Sequence, residues 1–147
     1  MYDYLKDYIE PEGNNYNHFY PVSQDEIIKA EKRIQIVFPA ELINFYNEVG
    51  YGFLSSDKYY INRIMSPTDI ADFMCNEEPY DCIDRSIYEE NEMAFMHISG
   101  EDFLTILLDG VDKGSIMYFG TIIAESFYSF VEKMYNEPNF YMRRNHT

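Results

Sequence analysis

The chain has 147 residues, and 46% of them are hydrophobic. This length and content suffice for one buried core, so we expect a single domain over 1–147. No apolar run is long enough to span a membrane, and the acidic N-terminus lacks the basic and apolar parts of a secretory signal. Cys75 and Cys82 have the spacing of neither a zinc site nor a redox pair, which indicates two free thiols. We therefore expect a cytoplasmic protein.

Charge is the most unusual property of the composition. The chain has 11 Lys and Arg against 26 Asp and Glu, a net charge of 11 − 26 = −15. Such a surface repels phosphate backbones, which argues against direct nucleic-acid binding, and it steers basic proteins toward itself. Solubility alone also explains an acidic surface, so charge leaves both interpretations open. The 15 tyrosines cannot all be buried with satisfied hydroxyls, and we expect several at the surface as interface anchors.

The first quarter of the chain is predicted to contain two helices separated by a turn-rich segment. Apolar spacing predicts a short helix in 2–9, and a turn-rich segment follows in 11–21. Ser23 and Glu26 then have the spacing of a capping box, which predicts a helix that stops before Pro39.

A second helix is predicted to begin with Pro39 and to end just before Gly50, which can adopt a left-handed conformation. Gly50 and Gly52 follow a helix and lack a third glycine, so they do not form a dinucleotide-binding loop. Short aromatic and β-branched runs predict strands in 51–54 and 59–64.

The remaining chain alternates one helix, strands and a final helix. Ser66 caps a predicted helix over 66–74, and the acidic loop, residues 76–92, has no predicted regular structure. Three further strands are predicted at 93–99, 103–109 and 115–120, the last two joined by a glycine-containing hairpin. A helix over 123–135 and a tail over 136–147 complete the chain. This order predicts an α+β class, with a largely antiparallel sheet flanked by N-terminal and C-terminal helices.

No catalytic constellation is apparent. The chain lacks HExxH, GxSxG, a P-loop and ligand-spaced Cys or His, so we expect no enzyme activity, metal or cofactor. His18 lies in the turn-rich segment and His146 in the tail, while His97 lies among apolar strand residues and is interpreted as structural. Asp109 is interpreted as a turn former at a hairpin.

The order of these elements resembles the SUKH superfamily, which includes the yeast Smi/Knr cell-wall regulator and many bacterial immunity proteins. The N-terminal half carries the signature Ser23, Glu31, Phe38-Pro39, Phe45-Tyr46 and Gly50-Tyr51-Gly52. The C-terminal half adds Asp109, Gly114, Ala124 and Ser126-Phe127, so that the resemblance spans about 23–135.

The resemblance implies a non-enzymatic domain that binds and neutralises a cognate polymorphic toxin, often a nuclease. Nuclease toxins tend to be basic because they grip phosphates, which an acidic, Tyr-bearing surface would complement. The residues that we expect to bind the partner lie in the acidic loop: Glu77, Glu78, Tyr80, Asp81, Asp84, Tyr88, Glu89, Glu90 and Glu92. The alternatives are a solvated loop without a partner, a regulatory or scaffolding adaptor that recruits a cellular protein, and a small-ligand binder with a pocket between helix and sheet. The sequence does not fix the oligomeric state.

Overall fold

The computed structural model describes residues 1–142, which form a seven-stranded sheet in the order β1 to β7 with all neighbouring strands antiparallel. The strands are β1 (His18–Tyr20), β2 (Tyr51–Phe53), β3 (Arg63–Ile64), β4 (Glu92–Ser99), β5 (Asp102–Leu107), β6 (Ile116–Tyr118) and β7 (Thr121–Ala124). The α-helices are α1 (Gln24–Ile34), α2 (Ala40–Glu48), α3 (Pro67–Met74) and α4 (Phe127–Asn136). Short 3₁₀ helices cover Asp3–Tyr8, Tyr80–Cys82 and Arg85–Ile87. The predicted α+β class with an antiparallel sheet is confirmed.

The N-terminal segment differs from its prediction in two ways. The helix expected over 2–9 is a 3₁₀ helix, and the turn-rich segment contains strand β1. Ile9 forms a bridge to Phe19, and the backbone N–H of Glu10 donates to the Phe19 carbonyl at 2.9 Å. The outer edge of β1 is therefore covered at its centre, whereas β7, at the other end of the sheet, pairs only with β6 within residues 1–142.

Gly50 and Gly52 are required by the close approach of β1. A Cβ atom at Gly50 would lie 2.0 Å from the carbonyl oxygen of Tyr20, and one at Gly52 would lie 2.3 Å from that of His18. Both glycines have positive φ, 121° and 139°. Helix α2 ends at Glu48 with Val49 as its capping residue, and the backbone N–H of Gly50 donates to the Phe45 carbonyl at 3.1 Å. Gly50 therefore lies just past the helix end, as predicted, and also admits the close approach of β1.

The predicted capping box at Ser23 is half formed. The Ser23 hydroxyl accepts from the backbone N–H of Glu26 at 3.1 Å, as expected. The carboxylate of Glu26 instead accepts from the Thr68 hydroxyl at 3.0 Å and so joins α1 to α3. At the next helix, Pro39 is the capping residue and Ala40 the first helical residue, one position later than predicted.

The C-terminal part contains one strand more than predicted. Thr121–Ala124 forms β7, so α4 starts at Phe127 behind Ser126, whose hydroxyl accepts from the backbone N–H of Ser129 at 3.1 Å. The tail expected from 136 onward also packs, since Phe140 and Tyr141 are buried. Residues 143–147, which include His146, lie outside the described residues.

The acidic loop covers one face of the sheet. Side chains alternate along a strand, which places Phe103 and Thr105 of β5 on the same face. The ring centroids of Phe103 and Tyr80 of the loop are 6.0 Å apart, and the Thr105 hydroxyl donates to Glu92 at the end of the loop. Helix α4 packs elsewhere on the sheet, where Phe127 contacts Phe95 of β4 at 5.4 Å. The loop is thus part of the folded layer over the sheet.

Candidate functional site

The acidic loop concentrates charge of one sign. Residues 76–92 contain seven carboxylates and one cation, Arg85, a net charge of 1 − 7 = −6. The structure divides the nine candidate residues by exposure. Those that are exposed are Glu77, Glu78, Asp81, Asp84, Glu89 and Glu90. Tyr88 and Glu92 are half-buried, and Tyr80 is buried.

Tyr80 fastens the loop to the protein interior. The centroid of its ring lies 5.6 Å from that of Phe73 and 6.0 Å from that of Phe103. Burial raises the pKa of its hydroxyl. The pair with Phe103 is edge-to-face and that with Phe73 is tilted; edge-to-face pairs add about 0.5–1.5 kcal/mol beyond the area they bury. Tyr80 therefore orders the loop and does not present its ring to solvent.

Two of the candidate carboxylates are used to shape the loop. Asp84 accepts from the backbone N–H of Ser86 at 3.0 Å and from its hydroxyl at 2.6 Å, and these bonds lower the pKa of Asp84. Glu92 accepts from Thr105 at 2.5 Å and from the backbone N–H of Glu89 at 2.6 Å. Both side chains stabilise turns by satisfying backbone or hydroxyl donors.

The single cation of the loop is turned toward the protein. Arg85 donates to the carbonyl oxygen of Met74, at the C-terminal end of α3, at 2.8 Å. Its guanidinium also lies 5.7 Å from the ring centroid of Phe73. Arg85 makes no ion pair with a loop carboxylate among the described residues, and four exposed side chains make no hydrogen bond or ion pair there: Glu78, Asp81, Glu89 and Glu90. Arg85 itself remains solvent-exposed, so the outer surface of the loop is predominantly negative.

An aromatic cluster of Tyr88, Tyr118 and Phe119 borders the loop. The rings of Tyr88 and Phe119 are nearly parallel, with centroids 6.3 Å apart and 17° between planes, and Tyr118 meets Phe119 edge-on at 4.9 Å. Burial raises the pKa of Tyr88 to about 12. Sequence reasoning missed Tyr118 and Phe119 because it placed both inside the strand predicted at 115–120. Gly120, followed by a β-branched run, was the available signal for a turn.

Other predicted features behave as structural elements. The His97 ring stacks on that of Phe103, with ring centroids 4.6 Å apart. Its Nε2 lies 2.7 Å from the carbonyl oxygen of Gly100, in agreement with a structural role. Cys75 and Cys82 are both free and exposed. Over the described range 1–142, no group of three or more His, Cys, Asp or Glu is arranged to hold a metal ion, and no helix is long and apolar enough to cross a membrane.

A groove of about 650 Å³ lies between the start of α2, the β5–β6 connection and the start of α4, lined mainly by apolar residues such as Phe38 and Leu107. Its volume is within the range of ligand pockets. One carboxylate of the groove, Glu41, accepts a hydrogen bond from the backbone N–H of Phe127 at 2.8 Å.

Together these features define an acidic α+β domain, built on an antiparallel meander with a charged loop held rigidly over one face. Residues 21–133 match the SMI1 / KNR4 family (SUKH-1), and the chain belongs to this family. The resemblance inferred from the sequence signature is thereby confirmed. The chain is also similar to "Immunity protein YxxD" of Bacillus subtilis (strain 168), with 35% identity over 134 residues that cover 88% of this chain and 91% of the relative.

Proposed function

We propose that this protein is an immunity protein that binds a cognate toxin domain and blocks it without catalysing a reaction. The observation that carries the proposal is the similarity to a Bacillus immunity protein over nearly the full length of both chains. The similarity covers nearly all of both chains, which supports the same domain architecture in both. In this proposal the protein acts by covering the toxin's functional surface.

The partner that suits this surface best is a basic toxin, such as a nuclease. Nucleases bind phosphates through Lys and Arg, and an acidic protein can cover the same groups. The net charge of −15 steers a basic partner on encounter and raises the association rate. Protection against a lethal enzyme calls for a dissociation constant of nM or lower, about −12 kcal/mol.

Within the acidic loop, the nine candidate residues have two different roles in this proposal. Glu77, Glu78, Asp81, Glu89 and Glu90 are exposed and free to contact the toxin. The others, Tyr80, Asp84, Tyr88 and Glu92, hold the loop in one conformation through the contacts described above. A preformed loop loses less conformational entropy on binding, which favours affinity.

The test is co-expression with the toxin domain encoded beside this gene. The loop variant reverses five exposed carboxylates to Lys: Glu77, Glu78, Asp81, Glu89 and Glu90. The control reverses five exposed carboxylates elsewhere: Asp7, Glu10, Glu12, Asp112 and Glu132. Each variant has the same net charge, −15 + 10 = −5, so a difference between them reports position and not total charge.

We expect the wild type and the control to protect cells and the loop variant to fail. Equal protection by the two variants would remove the loop from the interface. A wild type that gives no protection against the neighbouring toxin, or a gene with no toxin beside it, would count against the immunity role and favour an adaptor that recruits a cellular protein.

A further inference from the structure

Phe119 occupies a backbone position that disfavours a large side chain. It lies at the tip of the β6–β7 hairpin with φ of 44°, and Gly120 follows with φ of 84°. Tyr118 and Thr121 pair on either side, so the connection has two residues, both with positive φ. Such hairpin turns prefer Asn-Gly or Asp-Gly, and a bulky residue with positive φ is an outlier.

Burial does not account for this choice of residue. Phe119 is 41% exposed, although Tyr88 lies against one side of its ring and Tyr118 against its edge. The ring is therefore held in place from within the protein and remains accessible from outside. Strained positions that are retained in a fold are concentrated at functional sites.

The surroundings of Phe119 define what could bind to it. Its stacking partner Tyr88 is followed directly by Glu89 and Glu90. Burial raises the pKa of both Tyr88 and Tyr118, and the negative charge of Asp102 contributes a smaller rise to each. The aromatic cluster thus has acidic residues around it. The side chain that matches both features is arginine, whose guanidinium stacks on aromatic rings and pairs with carboxylates.

We propose that Phe119, supported by Tyr88 and Tyr118, is the central anchor of the toxin-binding surface and receives an arginine of the basic toxin domain. This inference rests on the proposed function and assigns its interface centre to a hairpin outside the acidic loop. The arrangement, an aromatic centre inside a charged rim, is the one found at binding hot spots.

The decisive variant is Phe119→Asn, because it improves the turn while it removes the ring. Asn is a preferred residue at this turn position, so the unfolding temperature should stay within about 4 °C of the wild type. Affinity for the purified toxin domain of the neighbouring gene, measured by calorimetry, should fall about thirtyfold or more, as expected for a hot spot. Val111→Asn is the matched control, since Val111 is fully exposed in the β5–β6 connection, at the other end of β6.

A second variant, Phe119→Leu, separates arginine stacking from apolar contact. Leu keeps apolar bulk and lacks a π face, so we expect its affinity to fall nearly as far as that of Phe119→Asn. Wild-type affinity in Phe119→Leu would overturn the arginine assignment. Wild-type affinity in Phe119→Asn would overturn the anchor and leave the immunity function intact, whereas a wild type that does not bind the toxin would overturn both.

Discussion

The carboxylate of Glu31 accepts a hydrogen bond from the backbone N–H of Phe38 at 2.7 Å. This contact spans the connection between α1 and α2, where Gln35 ends α1 in a left-handed conformation with φ of 57°. Residues 36–39 have no regular structure, and the residue after Phe38, Pro39, has no N–H to contribute. Glu31 therefore ties α1 to the residue that precedes the cap of α2.

Replacement of Glu31 should destabilise the protein. Glu31→Ala leaves the half-buried N–H of Phe38 without its charged acceptor, and such bonds contribute about 1.5–3 kcal/mol. We expect a loss of that size in the free energy of unfolding, measured with urea. Glu101→Ala, at an exposed carboxylate, should change the value by less than about 0.5 kcal/mol. Similar losses in both variants would show that charge, and not this bond, is responsible.

A methyl group at Gly50 should be far more costly than one at Gly110. Both residues have positive φ, 121° and 87°, but a Cβ at Gly110 meets no atom within 4 Å. Gly110→Ala should therefore lower the free energy of unfolding by only about 1 kcal/mol, the cost of a side chain at positive φ. Gly50→Ala adds a clash with the carbonyl of Tyr20, and we expect a loss of about 3 kcal/mol or more. Equal shifts of the urea midpoint would contradict the close approach of β1.

Local signals account for the elements that sequence reasoning predicted. Helices α1, α3 and α4 each begin behind a serine that accepts from a backbone N–H three residues on, a pattern visible in the sequence. Strands β1 and β7 have no separate signal, because β1 lies in a turn-rich segment and the apolar run of β7 leads directly into α4. The apolar run at Ile123 was assigned to a helix, although Ser126 marked its true start. Strand β1 depends on pairing with β2, which is distant in sequence, whereas β7 pairs with its neighbour β6 across a two-residue turn.

Alkaline solution should unfold the protein through its buried tyrosines. Burial raises the pKa of Tyr4 and Tyr88 from the ordinary tyrosine value of 10.0 to about 12. Burial also raises the pKa of Tyr2, Tyr46 and Tyr141. Between pH 10 and about 12 the unfolded chain has lost these protons while the folded chain retains them. Because the unfolded state then binds fewer protons, stability is full below pH 10 and falls as pH rises.

Urea unfolding at several alkaline pH values, with phenolate absorbance recorded in parallel, measures this effect. In Tyr88→Phe one titrating group is absent, so the decline with pH should be shallower than in the wild type. Constant stability up to about pH 12 would contradict the assigned burial of these hydroxyls.

Arg85 should control the order of the acidic loop and little else. Arg85→Met keeps an apolar stem near Phe73 but removes the hydrogen bond to the Met74 carbonyl. We expect faster hydrogen exchange at the amides of Ile83 and Tyr88, with global stability changed by less than about 1 kcal/mol. Lys113→Met, which removes an exposed cation outside the loop, is the control. Unchanged exchange in Arg85→Met would mean that Arg85 does not contribute to the order of the loop.

The composition of the candidate site could be predicted, but its geometry could not. An excess of carboxylates in 76–92 is evident in the sequence. The difference between Tyr80, which is buried, and Tyr88, which borders the surface, has no sequence signal because the loop has no periodicity. Phe119 contacts Tyr88 across 31 positions of chain, a pairing that only the folded sheet creates.

The two outer strands of the sheet are unequal, and this limits how chains can aggregate. Ile9 and Glu10 pair with Phe19 at the outer edge of β1. Within residues 1–142, a strand from another molecule can therefore extend the sheet only at β7. If two molecules join through β7, each has used its one accessible edge. Strand addition then stops at a closed pair with two-fold symmetry, and a fibre, which needs two free edges on every molecule, cannot propagate through this sheet.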